Sequence, residues 1–403
     1  MTRHLATSSL IALLVGLAPT LAAAEEKTAW RLFVSDHAES VVTVIDALSG
    51  DPIETFPVKG PASLKRSDSG RSVFAIQGAA GTVTAFSSGI SFDDHGDHGD
   101  IEVSAPKPSG FEVSGKKPSH FVEHGGDIAL FFDGEGVVRI TDEKTVLQGN
   151  SAVREVRTDA PHHGVAVAYG EHVLVSEPNR EKPDELPVGI RVVDRSGSRV
   201  GDVHACPDLH GEASSGNLLA FACATGLLVV SKGEDGPAIE HLPYADALPE
   251  GKATTLAGGR GLQYFLGNYG PDKVVLIDPT AAEDAFRLVE LPTRRVHFAV
   301  DPVRPKFAYV FTEDGQLHQL DVVAGAITKS VKLTEPYSMD GHWSDPRPRV
   351  AVAGNSVVVT DPLKGVLHTV DAASFEKAGE IAVDGKPFNI VAVGGSGESH
   401  ATE

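Results

Sequence analysis

The sequence predicts an all-β fold, a β-propeller of eight blades with seven as the alternative. Three observations carry that prediction. Short β-rich runs follow one another, punctuated by Gly, Asp and Asn turn signals, with almost no helical periodicity. One strand-turn-strand template recurs at distant places along the chain. The two chain ends carry complementary fragments of one more copy.

The clearest copies span 119–142, 161–194, 209–231, 296–321 and 349–371. Each reads as a strand, a tight turn, a second apolar strand, another turn and a third strand. Val165-Ala166-Val167-Ala168 leads into Val173-Leu174-Val175-Ser176-Glu177-Pro178, just as Val350-Ala351-Val352-Ala353 leads into Val357-Val358-Val359-Thr360-Asp361-Pro362. Units begin near Pro61, Pro118, Pro161, Asp208, Ala253, Arg295 and Tyr337. At the N-terminal end, Arg31-Leu32-Phe33-Val34-Ser35 and Val41-Val42-Thr43-Val44-Ile45-Asp46 look like second and third strands lacking a first. Pro387-Phe388-Asn389-Ile390-Val391-Ala392-Val393 looks like a first strand lacking followers. Joining the pieces completes an eighth blade and closes the ring, leaving no free edge strand. The mean repeat of about 47 residues falls within the range of known propeller repeats. An open solenoid leaves the complementary ends unexplained.

Residues 1–24 read as a secretory signal peptide. Arg3 supplies the positive start, an apolar run extends from Leu10 to Leu21, and Leu21-Ala22-Ala23-Ala24 forms a small-residue cleavage pattern. The run is too short for a membrane anchor, which needs about 20 apolar residues, and Pro19 interrupts it. Residues 25–403 are expected to form a single propeller domain in the periplasm, with a flexible His/Asp-rich insertion near 91–117. Acidic residues outnumber basic ones by 55 to 35, and the formal net charge is −20. That balance excludes a nucleic-acid or anionic-membrane footprint and is compatible with cations. A monomer is expected. The two cysteines, Cys206 and Cys223, are expected to pair as a disulfide, as a lone pair usually does after export. The bond would close a loop of about 17 residues, worth roughly 3 kcal/mol in the chain-entropy picture, and would hold His210 in place. A soft-metal thiolate site is the alternative.

In a propeller the first strand of every blade lines the central channel, and all first strands start at one face. Histidines recur at that start: His120 after Pro118-Ser119, His163 after Pro161-His162, His210 after Asp208-Leu209, and His297 after Arg295-Val296. Neutral imidazole is the commonest zinc ligand, and three converging histidines with a carboxylate or water make a tetrahedral site. The competing reading is a set of polar channel residues bonded to ordered water. His120, His163 and His210, from consecutive units, are the preferred trio, with the adjacent His162 also a candidate. His297 is farther round the ring and reads as structural. His124 and His172 fall at the far ends of strands, too distant to share the site.

A second cluster is Asp93-Asp94-His95-Gly96-Asp97-His98-Gly99-Asp100. Its glycines leave the backbone loose, and 105–117 shows no strand pattern. Such a tract can wrap a borderline cation at an entropic cost, which suits capture or hand-over better than storage. His95 and His98 are its candidate ligands, and an acidic solvated loop is the alternative. No segment has the twelve-residue spacing of a calcium-binding hand.

With His95-Gly96-Asp97-His98, Lys117-Pro118-Ser119-His120-Phe121, Phe131-Phe132-Asp133-Gly134-Glu135-Gly136, Pro161-His162-His163-Gly164 and Leu209-His210-Gly211-Glu212-Ala213 in view, the chain resembles the periplasmic zinc metallochaperones of the AztD type over essentially its whole mature length. The resemblance implies a non-enzymatic β-propeller that holds Zn2+ and passes it directly to the solute-binding protein of a zinc ABC importer. It matches His95 and His98 to the family's mobile His/Asp motif and carries over His120, His163 and His210 as ligands. Two other classes compete. A metal-dependent propeller hydrolase would use a zinc with an open water position. A metal-free interaction scaffold would explain the fold and nothing about the histidines. Quinone-dependent dehydrogenases and serine hydrolases find little support, with two tryptophans, no adjacent cysteines and no Gly-x-Ser-x-Gly elbow.

Overall fold

The computed structural model describes residues 25–95 and 99–399. The expected signal peptide, residues 1–24, and His98 lie outside the described residues. Eight four-stranded antiparallel units form the ring. Blade 1 is the closing blade: Pro387–Ser399 is its innermost strand, followed outward by Glu25–Asp36, Val41–Asp46 and Pro52–Pro57. Leu32 faces Ala392 and Phe33 faces Val391 in the register joining the two chain ends, as the complementary fragments require. The innermost strands of blades 2 to 8 are Ser63–Arg66, Pro118–His124, Ala166–Tyr169, Glu212–Ser215, Leu256–Ala257, Arg295–Val300 and Val350–Ala353.

The strands form because each inner sheet is covered on both faces by its neighbours. Second strands therefore read as continuous apolar runs: Ser72–Gln77 is buried at every position. Outer strands alternate or open to solvent. The core consists of layers between blades. Phe74, Ile76 and Val83 of blade 2 meet Phe121, Ile128 and Leu130 of blade 3. Phe33 and Val44 of blade 1 meet Val73 and Ala75 of blade 2. Each large side chain buried in this way contributes about 1.5–3 kcal/mol. Among the described residues the α-helix is the single turn Glu143–Leu147, capped by Asp142, whose carboxylate accepts from the Thr145 N–H at 2.9 Å. No helix there is long and apolar enough to cross a membrane.

The strand order defines two faces. First strands begin, second strands turn into third, and fourth strands hand over to the next blade on one face, here called upper. First-to-second and third-to-fourth turns lie on the lower face. The stretch expected to lack strand pattern departs from that reading: Lys107–Ser114 is the outer strand of blade 2, paired with Thr82–Ser87. Phe111 and Val113 point inward from it, while Pro108 is tolerated because the strand lies at the sheet edge. The insertion proper is a lower-face hairpin of Ile90–Asp94 and Gly99–Val103. Asp100 of this hairpin pairs with Glu398. Phe92 lies close over Gly395, where a Cβ would meet the tip of its ring at 2.8 Å and push the ring aside. The buried Arg31 donates from Nη2 to the Ser104 carbonyl at 2.6 Å and from Nη1 to the Ser88 carbonyl, clamping the hairpin base.

Candidate metal centre

Three consecutive blades deliver one imidazole each to the upper mouth of the channel. His120 is in the first strand of blade 3, and His163 and His210 lie just before the first strands of blades 4 and 5. Their ring centroids stand 4.9 Å (His120 to His163), 5.3 Å (His163 to His210) and 6.4 Å (His120 to His210) apart. The Nε2 atoms of His120 and His163 are 3.4 Å apart. Zinc–nitrogen bonds of about 2.0–2.1 Å give a tetrahedral edge of about 3.3–3.4 Å. Two of the three candidate ligand atoms therefore span a distance that matches such an edge. Among the described residues no three His, Cys, Asp or Glu side chains stand together at ready-made coordinating distance.

The outer nitrogens decide which tautomers are present. His163 Nδ1 lies 2.7 Å from Asp133 Oδ2, and His210 Nδ1 lies 2.7 Å from the Thr254 carbonyl. A carboxylate and a carbonyl can only accept, so both rings carry their proton on Nδ1 and present Nε2 as a lone pair. His120 Nδ1 lies 3.4 Å from both oxygens of Glu212. This is the outer-sphere pattern that fixes ligand orientation at metal sites.

Charge follows the same pattern. Burial pushes the Asp133 carboxyl up, but hydrogen bonds from His163 and Ser119 outweigh it and hold the group below the usual range. Glu212 is likewise pushed up by burial and then pulled below its ordinary value by His120, Lys65 and His210. Burial lowers His120, yet the charge and hydrogen bond of Glu212, with help from Asp133, leave it raised. His210 is lowered by burial, only partly offset by Thr254, and the neighbouring imidazoles add to the depression. A proton on His120 Nε2 would donate to the His163 lone pair 3.4 Å away, and a cation held between the two nitrogens would have to displace it.

Local structure explains why His210 is held. Cys206 and Cys223 form a disulfide, as the sequence led one to expect, linking the segment after blade 4 to the second strand of blade 5. Between them the His210 N–H donates to the Ala222 carbonyl at 3.1 Å, and the Ala222 N–H returns to Gly211 at 3.0 Å. Gly211 has φ +94°, and a Cβ there would press on the Thr254 carbonyl that anchors the His210 ring.

Not every candidate joins the trio. His162 is a correction: it turns away from His163, is buried at 6% exposure, and uses both nitrogens elsewhere. Its Nδ1 is 2.9 Å from the Ala160 carbonyl, and its Nε2 is 2.7 Å from Ser176 Oγ. Both imidazole nitrogens are thus engaged within blade 4, and of the adjacent pair it is His163 that pairs with Asp133 at the mouth. His297 is set the opposite way from the trio, with Nδ1 accepting the Val350 N–H at 3.1 Å. His95 lies at the lower-face hairpin tip, 3.2 Å from Asp100, and so at the opposite face from His120, His163 and His210. His124 stacks on Tyr169 at 4.7 Å in a lower-face cavity of about 1160 Å³ that reaches up to Glu212. Sequence reasoning assigned no role to Asp133, Glu212 or Thr254. Asp133 could have been found as a carboxylate ending an apolar second strand, at a turn facing the same mouth as the histidines.

Comparisons with known proteins establish the family and the fold of the chain. The zinc chaperone AztD of Citrobacter koseri is 57% identical over 401 residues, covering 99% of this chain and 95% of that protein. This chain belongs to the AztD family. A crystal structure of Citrobacter koseri AztD matches with a TM-score of 0.91 at 59% identity, covering 93% of this chain and all of that one. The apo form of the same protein matches at 0.89 and 56%, with the same coverage of both chains. The dihydro-heme d1 dehydrogenase NirN, at 14% identity, TM-score 0.58 and coverage of 89% of this chain and 74% of its own, shares the fold alone. No protein-family model matches the chain.

Proposed function

We propose that this protein is a periplasmic zinc chaperone, exported by residues 1–24, that holds one zinc ion at His120, His163 and His210 and hands it directly to the solute-binding protein of a zinc ABC importer. The observation that carries the reading is the convergence of three imidazoles from consecutive blades. Two have their Nδ1 protons held on acceptors, so their Nε2 lone pairs face the channel. The role of the Citrobacter koseri relative as a zinc chaperone supports it. Transfer proceeds by ligand exchange, one imidazole at a time, so that the ion is never released free. The His95/His98 tract acts at the other end of the channel as an accessory capture element, not as part of the same ligand set. Its hairpin is seated on the lower face, while the trio opens above.

The test is zinc stoichiometry and affinity of the mature chain beside two variants. A His120→Ala/His163→Ala/His210→Ala variant is expected to lose tight zinc, and a His95→Ala/His98→Ala variant to retain it. Tight binding by the triple variant would remove the channel-mouth site. No zinc binding by the unmutated chain would return the protein to scaffold or enzyme.

A further inference from the structure

The upper face carries a second feature that metal chemistry does not use. Trp343 is 81% exposed, on the connection between the outer strand of blade 7, Ala326–Lys332, and the inner strand of blade 8. The loop around it is braced rather than loose. The Arg347 side chain, only 5% exposed, donates to three carbonyls of that loop: Ser338 from Nε, His342 from Nη1 and Asp340 from Nη2, each at 2.9 Å. From the closing blade, His37 Nε2 donates to the Ser344 carbonyl at 2.7 Å. Arg294 holds the Asp340 carboxylate at 2.7 Å, and the His342 ring lies against the indole at 5.3 Å between centroids. On the same blade and face, the second-to-third turn presents Leu363 at 71% exposure, its N–H fixed on the hydroxyl of the buried Tyr337 at 3.0 Å.

An indole left in water on a pre-ordered loop loses little conformational freedom when a partner covers it, and such tryptophans anchor protein–protein contacts. We propose that Trp343, with Leu363, is the docking anchor for the protein that receives the metal; the proposal rests on the hand-over reading above. Position and charge select that occupant. An acceptor has to approach the upper face, because the trio opens there and the His163 side chain is 37% exposed. A second copy of this chain would set a formal charge of −20 against an equal charge, which disfavours self-association. Among the described residues the other aliphatic side chains more than 60% exposed, Leu48 and Val323, sit on lower-face turns and cannot meet a partner seated over the trio.

The experiment uses the mature chain and the metal-free solute-binding protein of the cognate zinc importer, with calorimetric titration of the complex and stopped-flow zinc transfer. Trp343→Ala is expected to weaken the complex at least thirty-fold and slow transfer at sub-saturating acceptor. Its zinc affinity and thermal midpoint should be unchanged, and Trp343→Phe should recover part of the loss. Val323→Ala, on the other face, should behave as unmutated. Unaltered acceptor affinity in Trp343→Ala overturns the proposal while leaving hand-over intact. A complex that depends on Trp343 but passes zinc only as fast as it dissociates into a small chelator sinks direct transfer and leaves the docking anchor standing. No complex with the unmutated chain overturns both.

Discussion

The Asp133→Asn variant is the most direct probe of the candidate centre. The Asp133 side chain is 3% exposed, accepts from His163 Nδ1 at 2.7 Å, and accepts from the Ser119 hydroxyl on its other oxygen. Asparagine keeps the shape and removes one acceptor. If its NH2 faces His163, the ring must take the other tautomer and protonate Nε2, destroying the ligand lone pair. If its oxygen faces His163, the NH2 meets Ser119 and the carboxylate's negative charge is still lost. Loss of an outer-sphere partner of this kind costs about 10- to 100-fold in metal affinity, or about 1.4–2.7 kcal/mol. The assay is competition for zinc against a chromophoric chelator at neutral pH, with the thermal midpoint measured in parallel to separate binding from folding. An affinity within twofold of the unmutated chain, at an unchanged midpoint, would show that the carboxylate does not orient the ring, and the argument from outer nitrogens would fail.

Two further outcomes follow from neighbouring groups. Zinc requires neutral His120, whose pKa is raised by Glu212 against the downward pull of burial. Affinity should therefore fall on acidification through a midpoint above the ordinary imidazole value of about 6.5; Glu212→Gln, which removes the raising influence, should move that midpoint to lower pH in chelator competition at stepped pH. His162→Ala should cost about 2 kcal/mol in urea unfolding by removing one hydrogen bond each from Ser176 Oγ and the Ala160 carbonyl and leaving a void beside Phe131, yet leave zinc affinity unchanged; a large loss of affinity would place His162 back in the site.

The propeller was legible because its signals are periodic and redundant. The apolar second strands, the turn residues and the split eighth blade all point to one ring, and the register Leu32 to Ala392 realises it. The outer strand of blade 2 was not legible. Phe111 and Val113 alternate as a strand should, but Pro108 and Gly110 within Lys107–Ser114 mask the pattern. The trio was legible as positions, since starting points of first strands share a face whatever the details. Individual ring directions were not: nothing in Pro161-His162-His163-Gly164 says which imidazole meets Asp133 and which meets Ser176. The outer partners were hidden because they come from other segments, Asp133 from a turn in blade 3 and Thr254 from the approach to blade 6. The face bearing the His/Asp tract is set by a third-to-fourth turn, which could not be assigned while its flanking strand, Lys107–Ser114, went unread.

The placement of charge separates binding strength from coordination number. A divalent cation among three neutral imidazoles carries two uncompensated charges. Asp133, hydrogen-bonded to His163, and Glu212, beside His120, offset part of that charge, with Lys117 3.5 Å from Asp133 and Lys65 acting on Glu212 taking up some of theirs. The third imidazole, His210, leans on the neutral Thr254 carbonyl. On the ligand set proposed above, compensation at that distance would stabilise the ion without a carboxylate taking a coordination position, which would leave a fourth position for an incoming ligand. A storage site would gain from a fourth protein ligand that closes the shell. A site meant to pass its ion by ligand exchange needs strong outer-sphere charge, an open position, and one ligand that leaves readily. His210 fits that last need: it stands 6.4 Å from His120 between ring centroids, with its pKa lowered chiefly by burial. It should be the last imidazole to engage an arriving ion and the first to let go.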